Sequence, residues 1–137
     1  ERAQKWVNIS YGKDMAIVGI IQTEGVEEII AIGRYAHDPE TPRYAMLAFI
    51  VRETFQGMGI STFLIQHLEK IAKENRYKGF TATVMEENAP MIHVFKKHYP
   101  EAEFIREGGG ILSIKMVFKP ENETAKTGKT GKTEKVE

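Results

Sequence analysis

The sequence predicts one α/β domain, in the α+β sense: a mixed β-sheet with helices packed on its faces. Three observations carry this. From Met15 onward, short β-branched apolar runs and segments of helical period follow one another in the order β-β-β-α-β-α-β-β, and strands interleaved with helices call for a covered sheet. One run, Tyr44 to Val51, is apolar nearly throughout, as a buried central strand would be. The chain has 137 residues, 42% of them hydrophobic and 28% charged, which suits a single domain with its own core.

Met15 to Gln22 (MAIVGIIQ) is short and β-branched, and Thr23-Glu24-Gly25 separates it from Glu28 to Tyr35 (EIIAIGRY), so the two runs predict a hairpin. His37 to Arg43 carries two prolines and breaks the pairing before Tyr44 to Val51. From Ile60 the period changes. Ile60, Phe63, Leu64, Leu68, Ile71 and Ala72 share one helical face, while Gln66, Glu69, Lys70, Lys73 and Glu74 share the other. Tyr77 to Glu86 returns to strand composition, and Ala89 to Tyr99 reads as a shorter helix with Pro90 in its first turn. Ala102 to Arg106 and Ile111 to Phe118 flank Gly108-Gly109-Gly110 and read as two last strands, the second with one apolar face. Residues 1–118 are thus expected to form the domain. Residues 119–137 lack aromatics, carry a Thr-Gly-Lys repeat and read as a disordered polar tail. Their Gly-Lys-Thr triplets are not a phosphate loop, because Lys126 stands where Gly131 would need a glycine five residues earlier.

With 19 basic and 19 acidic residues, no global field draws the chain to nucleic acid, and no apolar run approaches the ~20 residues of a membrane span. Cysteine is absent, which excludes disulfides, thiolate catalysis and cysteine-ligated zinc and makes a cytoplasmic location the expectation. His93 and His98 are five residues apart, off one helical face and without a third ligand near in sequence, so no metal site is expected.

Gln56-Gly57-Met58-Gly59-Ile60-Ser61 joins the central strand to the first helix. A helix start exposes backbone amides that have no intrahelical acceptor, and glycines let an anion approach them. The helix dipole adds about half a positive charge there, so pyrophosphate is a natural ligand. Gln56 can add a side-chain amide, and Ser61 or Thr62 a hydroxyl. A plain glycine turn opening a helix is the competing reading of these residues alone.

The ordered pattern of Val51, Gln56, Gly59, Ser61 and, on the loop after the next strand, Asn88 resembles the GNAT superfamily of acyl-CoA-dependent N-acetyltransferases. Ser61 stands where that family usually has Gly or Ala. The segments DMAIVGI, IAIGRY and FQGMGI, with ENAPM further on, are similar to GNAT domains attached to acyl-CoA synthetase-like domains in microbial protein lysine acetyltransferases. The resemblance covers about Asp14 to Phe118. It implies acetyl-CoA, or another acyl-CoA, as co-substrate and an amine acceptor, with protein lysine one such amine. It implies that the backbone of Phe49, Ile50 and Val51 pairs with the pantetheine arm and that the amides from Gly57 through Met58, Gly59 and Ile60 to Ser61 hold the pyrophosphate. Asn88 would lie near the pantetheine, and Phe95 stands where many relatives use a tyrosine to protonate the departing thiolate.

Met46 occupies the place of the glutamate that the resembled lysine acetyltransferases use as base. Substitute catalytic groups are Glu53, Glu87 and His93, each of which also reads as a solvated surface residue. A catalytically weak or inactive acyl-CoA-binding regulatory domain is therefore the alternative, and an interaction domain that has lost the ligand is a third reading. The family places one strand and two helices ahead of Met15, where they form much of one wall of the acceptor groove; 14 residues are too few for that unit. The expectation is a domain cut from a longer CoA-processing protein, or a groove with a reduced wall. An edge strand at Ile111 to Phe118 is expected to be free to pair with a second copy in a homodimer.

Overall fold

In the computed structural model, which describes residues 2–119, seven strands form one sheet in the order β1-β2-β3-β4-β5-β7-β6. The strands are β1 (Arg2–Tyr11), β2 (Asp14–Thr23), β3 (Val26–His37), β4 (Tyr44–Val51), β5 (Gly79–Met85), β6 (Glu103–Gly108) and β7 (Ile111–Val117). Helix α1 (Ile60–Glu74) crosses from β4 to β5, and α2 (Ala89–His98) links β5 to β6. Every neighbouring pair is antiparallel except β4 and β5, whose parallel pairing needs the α1 crossover.

Two expectations change. A strand precedes Met15: β1 pairs with β2 along its whole length, from Arg2↔Thr23 to Tyr11↔Asp14. Only Gly12 and Lys13 join the two, so the strand that the resemblance implied is present, and a two-residue turn stands where its two helices would be. The second correction concerns the free edge. β7 lies between β5 and β6, so Ile111 to Phe118 is interior to the sheet and offers no edge to a second copy; the edges are β1 and β6. The tight turn at Gly109-Gly110 folds β7 back along β6, and β7 then inserts beside β5 from Gly79↔Val117 to Met85↔Ile111. The polar tail expected over 119–137 lies outside the described residues apart from Lys119.

Both helices lie on one face of the sheet. α1 buries Leu64, Ile65, Leu68 and Ala72, a stripe at helical spacing, and α2 buries Phe95. These join Ile17, Tyr35, Leu47, Phe80, Ile114 and Met116 from the strands in one core. Complete burial of a side chain such as Leu64 or Leu68 contributes about 1.5–3 kcal/mol. Strand alternation sends the intervening residues, among them Ala36, Met46, Ala48, Thr81, Thr83 and Ser113, to the opposite face. Those six line an open cavity of about 700 Å³, and no helix of the described residues covers that face.

Candidate functional site

The β4–β5 ladder has three rungs: Tyr44↔Gly79, Ala45↔Phe80 and Met46↔Thr81. Beyond them β4 stays paired to β3 as far as Val51, and β5 stays paired to β7 as far as Met85, but the two no longer pair with each other. A gap opens in the sheet, with Met46 and Thr81 at its apex. Along it, Leu47 to Val51 lack a strand partner on the β5 side, and backbone amides and carbonyls require partners. An extended ligand that carries its own amides can supply them, as an added strand does.

At the mouth of this gap stands the start of α1. Gly57 (φ 81°) and Gly59 (φ 83°) both adopt the left-handed conformation that glycine tolerates, and a Cβ on either would meet nothing within 4 Å. Open space therefore lies over the turn. Gly59 caps the helix without any side-chain hydrogen bond. The Phe63 amide donates to the Gly59 carbonyl at 3.0 Å, so the amides of Ile60, Ser61 and Thr62 precede the first helical bond, where a helix supplies no acceptors. An anion is suited to this end.

The neighbouring side chains have definite duties. Gln56 turns back, its Nε2 donating to the Val51 carbonyl at 2.9 Å, so that this amide shapes the turn. Asn88, across the gap, caps α2: its Oδ1 accepts from the Met91 amide at 3.2 Å. Thr62 Oγ1 lies 3.2 Å from His98 Nε2, tying the first turn of α1 to the end of α2. Burial, with Lys97 nearby, lowers the His98 pKa, so this ring favours its neutral form. Phe49 and Phe95 pack edge to face at 5.9 Å on the helical side of the gap, and Phe95 is buried. The nearest tyrosine on that stretch, Tyr99, donates to Glu69 Oε1 at 2.6 Å. Burial, then the Glu69 charge, raises its pKa, so it holds its proton.

The three candidate catalytic groups are not gathered at the apex. Glu53 is exposed in a single helical turn (Glu53–Phe55) after β4, Glu87 is exposed after the end of β5, and His93 is exposed on α2. Five steps along the strand, about 16 Å at ~3.3 Å each, separate Met46 from Val51, and Glu53 lies beyond that. Sequence reasoning missed a carboxylate at the other end of the gap. Asp38, 8% exposed, accepts from Thr81 Oγ1 at 2.8 Å and from the Glu40 amide at 2.9 Å, and Thr81 forms the last rung with Met46. Burial pushes its pKa up, but hydrogen bonds from Thr81, the Glu40 amide and Thr41 outweigh this, and the net shift is downward. Asp38 is thus a charged clasp holding the loop after β3 onto β5. Its neighbour in sequence is Pro39, and no spacing rule links it to Thr81.

Among the described residues no group of three or more His, Cys, Asp or Glu side chains is arranged to hold a metal ion, and no helix is long and apolar enough to cross a membrane.

The model of the acetyltransferase (GNAT) family matches residues 2–99. The chain belongs to that family. GNAT enzymes use acyl-CoA as co-substrate. The GNAT domain of S. lividans PAT is 25% identical to it, with a TM-score of 0.62 over 77% of this chain and 61% of that one. A cAMP-binding acyltransferase from Mycobacterium smegmatis shares the fold at 23% identity and a TM-score of 0.65, over 81% of this chain and 33% of that one. A putative phosphinothricin N-acetyltransferase shares it at 17% identity and a TM-score of 0.62, over 80% of this chain and 75% of that one. The chain thus spans less than two thirds of the first protein and about a third of the second.

Proposed function

We propose that this GNAT domain transfers an acyl group from acyl-CoA to an amine. One observation carries the reading: a ladder that stops at Met46↔Thr81 and opens a gap running to the amides of Ile60, Ser61 and Thr62. Pantetheine lies along Phe49, Ile50 and Val51, with Asn88 opposite, and the pyrophosphate rests on the turn from Gln56 to Ser61. The thioester then reaches the apex, beside the open cavity from which the amine attacks. The amine nitrogen bonds to the thioester carbon, the C–S bond breaks, and the leaving thiolate takes up the proton that the nitrogen gives up. Backbone amides on the unpaired side of β4 stabilise the oxyanion.

Met46 and Phe95 supply neither base nor acid. A general base contributes ~10²–10⁴-fold, whereas positioning supplies ~7–11 kcal/mol, so the domain relies on placement and favours amines that are partly neutral. A protein lysine whose own surroundings lower its pKa fits both this requirement and the unwalled cavity, and a covalently attached CoA-processing domain is consistent with the partial span of the relatives. We place the activity in the cytoplasm.

Calorimetric titration with acetyl-CoA tests the site. Micromolar binding by the wild type, lost in Gly59→Trp, is the expected result; a mutant that binds as the wild type does overturns the pyrophosphate assignment. Thiol release with a panel of amines tests transfer. Binding without acceptor-dependent thiol release would instead support the regulatory, binding-only reading that the residues at Met46 and Phe95 raise.

A further inference from the structure

Met46 stands in a row across the sheet, between Ala36 of β3 and Thr81 of β5, at the point where the gap closes. Its side chain is 45% exposed and lines the 700 Å³ cavity. Leu47, Ala82 and Ile114, all buried, also line it, and Ala36 and Ala48 add little side-chain bulk beside Met46. Of the charged lining residues, Arg34, Glu40, Glu103 and Lys115 are exposed, and Asp38 is buried with its carboxylate held by Thr81 and the Glu40 amide.

A thioester drawn along β4 has few directions left at the apex. Forward, the paired rungs from Met46↔Thr81 to Tyr44↔Gly79 block it. Towards the helices, the buried Leu47 and Ala82 flank the apex on the core face, and the Phe49–Phe95 pair closes that face further along β4. The remaining exit is the open face, across the Met46 side chain. A carboxylate at that position would be a poor neighbour for an alkyl chain, because it would have to lose water on contact. The thioether of methionine is unbranched and polarisable and adapts to whatever chain lies against it.

We propose that the domain selects acyl groups longer than acetyl, short unbranched alkyl chains in the range of propionyl to hexanoyl, with Met46, Ala36 and Ala48 as the specificity residues. This rests on reading the gap as the acyl-CoA slot. Full burial of a methylene is worth about fourfold in affinity, so a cavity open on one side gives about two- to fourfold per added methylene. The volume lies within the ~300–1,000 Å³ of ordinary ligand sites, so the chain and the attacking amine can share it.

Titration of the full chain with CoA, acetyl-CoA, propionyl-CoA, butyryl-CoA and hexanoyl-CoA tests this, with CoA as the reference that carries no acyl chain. The wild type is expected to bind more tightly at each step. Met46→Glu, which puts a charge at the apex, and Ala48→Leu, which narrows the cavity, are expected to flatten the series, with thermal unfolding checking that both fold. If CoA binds and affinity is level or falls from acetyl to hexanoyl, the chain-length inference is overturned and the slot stands. If CoA itself does not bind, the slot fails and the inference falls with it.

Discussion

On one face of the sheet, Ile17, Tyr35, Leu47, Phe80, Ile114 and Met116 lie beneath two helices, each less than 6% exposed. On the other face, Met46 is 45% exposed and Ile50 is 72% exposed, in the same strand that buries Leu47. The same sheet therefore builds a core on one side and leaves an exposed surface on the other. The covered face carries the stability, which leaves the open one free to be shaped for ligands.

Three substitutions break or sharpen that contrast. Leu68→Ala removes a fully buried side chain of α1 from the covered face and is expected to cost about 2–5 kcal/mol, read as a lower midpoint in urea unfolding. A loss below 1 kcal/mol would mean that the helical face is not the source of stability.

Asp38→Asn, at the margin between core and cavity, is expected to cost about 1–3 kcal/mol at neutral pH. The sign of its pH dependence is fixed by the lowered native pKa. Above the ordinary carboxylate range both folded and unfolded states are ionised, and the contribution of Asp38 is complete. As pH falls through that range towards the lower native value, the unfolded chain takes up the proton first, and the stabilisation disappears. The difference between wild type and Asp38→Asn should shrink in acid; a constant difference from neutral to acid pH would remove the charge from the clasp.

Ile50→Thr, on the open face, is expected to shift stability by no more than about 0.5 kcal/mol in the same urea experiment. A large loss would show that something covers that face in the free protein.

Strong local patterns made much of the fold legible. The apolar run Tyr44 to Val51 matches β4 residue for residue, and the change of period at Ile60 marks the first residue of α1. β1 escaped because Lys5, Asn8 and Ser10 dilute its apolar residues, although Gly12 and Lys13 do form its turn. The position of β7 escaped for a different reason: hairpin patterns reveal sequential neighbours, and its pairing with β5 spans the whole of α2. At the site, the glycine turn was readable because φ above zero leaves a mark in the sequence. Asp38 was not, because its partner Thr81 is 43 residues away. Nor did the sequence reveal that Gln56 and Asn88 spend hydrogen bonds on the Val51 carbonyl and the Met91 amide.

The turn at Gly12 and Lys13 also bears on how such a domain can change over evolutionary time. Loop-closure entropy rises by only about 0.6 kcal/mol for each doubling of loop length, so lengthening this two-residue link sixteen-fold would cost about 2.4 kcal/mol in chain entropy. A wall over the open face is then a detachable accessory, one that can be grafted on or trimmed away at a surface hairpin tip without rebuilding the helical core behind it.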